Sequence, residues 1–107
     1  MVGLLLSLMV QTNAQQVKDH CAAYVESERF TKAIHAVAVY QKRTPAELCS
    51  LPYLTTIEAQ PTRLIDKNTL EYIPHVRVQL HMSESSCLYL VKDSDLSITE
   101  ARCYSAW

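Results

Sequence analysis

The chain has 107 residues, 49% of them apolar and 20% charged, with a formal net charge of −1. That suits one small domain rather than two, and the balanced charge gives no long-range attraction to nucleic acid or to an anionic membrane. The only glycine is Gly3. Phosphate loops, dinucleotide fingerprints and nucleophile elbows need glycine where the backbone turns sharply or touches a ligand, so those enzyme classes are excluded.

Residues 2–10, V-G-L-L-L-S-L-M-V, are too few to span a bilayer, which takes roughly 20 apolar residues. They fit the apolar region of a signal peptide, and the small residues Thr12 and Ala14 fit cleavage after Ala14. No Lys or Arg precedes the run, and the first base is Lys18. The competing reading is the buried start of a first helix. The expected organisation is a signal peptide over 1–14 and a single domain over 15–107.

Residues 16–41 read as one long helix. Ala23, Ser27, Phe30, Ile34, Val37 and Gln41 recur at helical spacing, widened by Ala33 and Ala38. Thr44-Pro45 bounds it, because proline disfavours a helical residue before it. A short second helix starts there with a capping box: Thr44 caps, Pro45 takes the first position and Glu47 reaches back. Pro52 ends that turn.

The second half reads as antiparallel sheet. Residues 53–58 and 62–65 are rich in β-branched side chains, and Asp66-Lys67-Asn68 is a turn candidate. In 70–82, Leu70, Tyr72, Val76, Val78, Leu80 and Met82 share one face, and Glu71, His75, Arg77, Gln79 and His81 the other, the alternation of a strand buried on one side. Pro74 cannot donate to a ladder, so the strand is at an edge or bulged there. A loop over 83–86, a strand over 87–91, a turn at 93–95 and a last strand over 96–104 complete the meander. Tyr72 and Tyr89 are expected to face the core.

The four cysteines, Cys21, Cys49, Cys87 and Cys103, form no C-x-x-C pair, so neither a thioredoxin-type site nor a zinc ribbon is indicated. An even number in a short exported chain reads as a disulfide framework; the competing reading is four buried free thiols. Of the three possible pairings, Cys21–Cys49 with Cys87–Cys103 keeps each bridge within one local unit. The midpoint of Cys87 and Cys103 is residue 95, inside the last turn, so a hairpin there sets the two face to face. Cys49 meets Cys21 only if the chain doubles back along the long helix.

The expected fold is α+β: one long N-terminal helix and a short helix packed on a three- to four-stranded antiparallel meander, with two disulfides. This element order resembles the cystatin-like arrangement. The resemblance is of layout alone, because the Q-x-V-x-G inhibitory loop is absent.

No catalytic constellation or metal site is expected, and no cofactor. His75 and His81 lie roughly 20 Å apart at 3.3 Å per residue, too far to share a metal. A Cys–His nucleophile needs a thiol that pairing removes. Asp93 and Asp95 belong to a turn, where Asp is favoured for backbone hydrogen bonds. The function expected by elimination is a small exported module, periplasmic or extracellular, binding another protein by surface complementarity as an inhibitor or immunity protein. Alternatives are an accessory subunit of a secretion or pilus assembly in the envelope, and a small enzyme or carrier with a helix–sheet pocket. The expected contact residues are His75, Arg77, Gln79 and His81 on the outer face of the sheet, with Tyr104 and the carboxy-terminal Trp107.

Overall fold

Ser27 decides where the helix starts. Its backbone is extended (φ −104°, ψ 105°) and its hydroxyl accepts a hydrogen bond from the Phe30 amide, so it caps helix α1, Glu28–Tyr40. In the computed structural model, which describes residues 18–105, the described residues before Ser27 form only a short 3-10 turn, Ala22–Tyr24. The long helix expected over 16–41 is therefore corrected to 13 residues in mid-chain. A serine at helical spacing reads as one more face position in sequence, and here it is the terminus. The run 2–10, the cleavage position and Trp107 lie outside the described residues.

The far end of α1 closes as a Schellman motif. The amide of Lys42 donates to Val39 O and that of Arg43 to Ala38 O, both at 2.9 Å. Lys42 takes the left-handed conformation that glycine usually supplies there (φ 60°). Helix α2, Pro45–Cys49, follows with the expected capping box: Glu47 N donates to Thr44 Oγ1 at 3.1 Å and Thr44 N to Glu47 Oε1 at 2.9 Å.

Four antiparallel strands follow in the order β1-β2-β3-β4: β1 Leu54–Ile65, β2 Tyr72–Met82, β3 Ser85–Lys92 and β4 Ile98–Ser105. The two segments expected before the turn at 66–68 are one strand running through Pro61. That proline sits on an edge strand, where a missing donor costs no ladder bond on the open side. The ladder from β2 to β3 starts at His75, so Pro74 stands just outside it, as its missing N–H requires.

Helix α1 lies on one face of this sheet. Ala33, Ile34, Val37 and Ala38 pack with Ile57 and Ala59 of β1, Val76, Val78 and Leu80 of β2, and Tyr89 and Val91 of β3. Leu48 is the buried residue of α2 and joins the same core. At about 25 cal/mol per Å² of apolar area, this contiguous cluster is the main source of stability.

Both expected disulfides are present, Cys21–Cys49 and Cys87–Cys103. The break at Ser27 resolves how Cys49 meets Cys21. The segment before it turns back alongside α1, where His20 N donates to Cys49 O at 2.7 Å and Tyr24 Oη donates to Ile57 O at 3.1 Å. Cys87 and Cys103 are directly opposed across β3 and β4, as their midpoint predicts.

Candidate functional site

Two features of the sheet stand out as surfaces rather than as core. The first is an arm. Strands β1 and β2 stay paired from Leu54–Met82 to Ile65–Tyr72, whereas β3 accompanies β2 only from His75 to His81. The pairs Arg63–Pro74, Leu64–Ile73 and Ile65–Tyr72 thus run on without a third strand, about 10 Å of two-stranded ribbon. The base of the arm is clamped. Arg29, in the first turn of α1, places Nε 2.7 Å from Asp93 Oδ2 and donates through Nη2 to His75 O at 3.1 Å. Asp93 N donates in turn to Pro74 O at 3.1 Å.

The arm ends in a loop closed by two backbone bonds: Asp66 N to Glu71 O at 2.9 Å and Leu70 N to Asp66 O at 2.7 Å. Asp66 Oδ1 accepts from Asn68 N at 2.8 Å, which is the turn chemistry expected of Asp66-Lys67-Asn68. The last loop residue, Leu70, has φ 61°. A left-handed leucine costs roughly 1–2 kcal/mol, yet the residue is 78% exposed. Ile65 (55%) and Tyr72 (60%) are exposed beside it. Tyr72 was expected in the core. It does lie on the helix-side face, but α1 ends short of the arm and nothing described covers it; its ring is met by the Arg63 guanidinium at 4.7 Å.

The second feature is the outer face of the sheet. It carries Arg77, Gln79 and His81 in a row, each with a neighbour in the sheet. Arg77 Nη2 donates to Gln60 Oε1 at 3.4 Å, and Gln79 Nε2 to Ser86 Oγ at 3.3 Å. His81 Nε2 lies 3.3 Å from Glu58 Oε1, within ion-pair range when the ring is protonated. Tyr104 joins the end of this row, since His81 opposes Ser86 and Ser86 opposes Tyr104. His75 departs from the set. It is 2% exposed, with Nδ1 2.9 Å from Ile73 O, so its ring has almost no surface to offer a partner. Alternation assigns a residue to a face but does not report how its neighbours close over it.

Open grooves border α1. A groove of about 580 Å³ lies beside the Cys21–Cys49 bridge, lined by Tyr24, Val25, Ile34, His35 and Ala46 among others. A second, of about 440 Å³, is lined by Arg29, Lys32, Val76, Val91 and Asp93. Asp19, Cys21 and Cys49 bring ligand-type atoms within 4.8 Å of one another, but the two sulfurs are bonded to each other and supply no thiolate. All four cysteine sulfurs are so engaged, which leaves no thiol for a Cys–His nucleophile. No helix among the described residues is long and apolar enough to cross a membrane.

Three carboxyls are held below the ordinary carboxylate range, all exposed. The backbone and hydroxyl of Thr44 do this for Glu47, Lys32 for Glu28, and the hydroxyl and amide of Ser97 for Asp95. Each stabilises a cap, a helix surface or a loop, which is structural work.

The turn at the arm tip was legible in Asp66-Lys67-Asn68, but the role of Leu70 was not, because a leucine in a left-handed turn looks like any other leucine. Neither a known protein family, nor a curated protein, nor a solved structure matches this chain.

Proposed function

We propose that this chain is a small exported module that binds another protein, and that the tip of the β1–β2 arm is its contact. The observation behind this is Leu70: an apolar side chain held in an unfavourable backbone conformation, at the end of a ribbon, contributing nothing to the core. Backbone strain of this kind clusters at binding and switch segments, and here it carries an apolar side chain into solvent. Ile65 and Tyr72 extend the same apolar surface, and amphipathic tyrosine is enriched in interfaces. The partner's complementary surface is an apolar pocket or cleft. The two disulfides favour an oxidising compartment, periplasmic or extracellular.

The test is affinity purification of the tagged chain from the envelope and exterior fractions, comparing wild type, Leu70→Asp and Arg77→Ala. The expected result is a specific protein lost with Leu70→Asp and kept with Arg77→Ala, both variants retaining the wild-type thermal midpoint. A partner kept by Leu70→Asp and lost with Arg77→Ala moves the contact to the outer face. No partner with any chain ends the proposal. A single soluble enzyme as prey identifies an inhibitor or immunity role; a multi-protein complex identifies an accessory subunit. The intact mass of the recovered chain reads export directly, through the cleavage point and the loss of four hydrogens in two bridges.

A further inference from the structure

The sheet has two edges, and they are not equally guarded. Edge strand β1 carries Pro61 at mid-length, with no N–H to offer an incoming strand. Edge strand β4 contains no proline, and most of it is exposed. Among the described residues no further strand pairs with it.

The backbone of β4 fixes what an incoming strand would meet. Cys87 and Cys103 oppose each other with Cα atoms 4.0 Å apart, the close spacing of a pair that exchanges no backbone hydrogen bonds. The N–H and C=O of Cys103 therefore point to the open edge. Two residues earlier, so do those of Ala101, which opposes Tyr89. On either side of Ala101, Glu100 and Arg102 turn their side chains to the outer face and hold each other at 3.2 Å.

We propose that the β4 edge takes a second copy of this chain, pairing antiparallel about a two-fold axis at Ala101. In that register Ala101 faces Ala101 of the other copy, and the two exchange both backbone hydrogen bonds. Glu100 of each copy then faces Arg102 of the other, at the closely spaced positions where cross-strand pairs interact most strongly. Four charges alternate in sign around the axis. A slide of two residues in either direction sets Arg102 against Arg102 or Glu100 against Glu100, so charge selects one register. A slide of one residue turns the edge hydrogen-bonding groups out of phase. The small Ala101 admits close approach on the helix side, where the bridge at Cys103 and the exposed ring of Tyr40, edge-on to Tyr89, border the seam. The resulting sheet has eight strands, with both arms free at their tips.

Analytical ultracentrifugation of the disulfide-bonded chain over a concentration series tests this. Wild type is expected to dimerise, less tightly as salt is raised. Glu100→Arg and Arg102→Glu each place like charges across both pairs, and each is expected to weaken the dimer at least about tenfold. The decisive step is to mix these two variants. One then presents two arginines and the other two glutamates, so the mixture regains a dimer that neither forms alone. The doubly exchanged chain, Glu100→Arg with Arg102→Glu, also dimerises. A wild type that stays monomeric at every concentration overturns the proposal. So does a dimer indifferent to both single changes, or a mixture that remains monomeric. Leu70→Asp leaves the dimer intact, so the contact proposed at the arm tip succeeds or fails separately.

Discussion

Leu70 and Leu96 occupy the same place in two loops built alike. Leu70 N donates to Asp66 O at 2.7 Å and Leu96 N to Lys92 O at 2.8 Å, while Asp66 N and Lys92 N close the loops onto Glu71 O and Ser97 O. Both leucines have φ near 60°, in a chain whose only glycine is Gly3.

Glycine at either position relieves the left-handed penalty, less the extra freedom it gives the unfolded chain. Leu70→Gly and Leu96→Gly are each expected to raise stability by up to about 1 kcal/mol, read as a higher urea midpoint at unchanged slope. Leu70→Gly also removes the exposed side chain from the arm tip. A variant more stable than wild type and weaker in partner binding is the expected signature of that residue.

The clamp under the arm makes a different prediction. Arg29 joins α1 to Asp93 and to the carbonyl of His75, so Arg29→Met is expected to cost about 1 kcal/mol, a charge-assisted pair discounted for partial exposure. Faster amide exchange at residues 62–75, with the centre of the sheet unchanged, places the loss at the base of the arm. Uniformly faster exchange refutes that assignment.

The bridges close loops of 28 and 16 residues. By chain entropy each contributes about 3–4 kcal/mol. Cys21→Ser with Cys49→Ser is expected to free the segment before Ser27 and expose Tyr24, measured as increased tyrosine accessibility and a lower denaturation midpoint.

The pH dependence has a definite sign. The Thr44 backbone and hydroxyl hold the Glu47 carboxyl below its unfolded value, so its contribution is present above the ordinary carboxylate range and lost as pH falls through the folded value. Glu28 and Asp95 behave likewise, through Lys32 and Ser97. Acid therefore weakens the fold through these three groups. Glu47→Gln is expected to flatten part of the slope of denaturation midpoint against pH, and an unchanged slope contradicts the cap as its source.

What sequence made legible is what local chemistry and parity encode. Thr44, Pro45 and Glu47 announced α2, and the midpoint of Cys87 and Cys103 located the last hairpin. The alternation over 76–82 assigned both faces of β2. What it concealed depends on neighbours remote in the chain. Ser27 fits a helix face as well as a helix start, and only the turn-back that joins Cys21 to Cys49 decides between them. Tyr72 obeys the alternation, but α1 is too short to cover it. His75 obeys it too, and is closed over on a face expected to be open. The arm was invisible because it arises from a difference in length between strands, which no single strand displays.

Neither covalent bridge crosses from helices to sheet. Cys21–Cys49 staples the helical layer to its own leading segment, and Cys87–Cys103 staples two neighbouring strands. The seam between the layers is held chiefly by Ile34, Val37 and Ala38 seated against Val76, Val78 and Leu80, with the polar contacts of Arg29 and Tyr24 at its margins and the chain at 50–53 as its covalent hinge. Conditions that loosen apolar packing but spare sulfur bonds would part the molecule there, into two halves each still tied within itself.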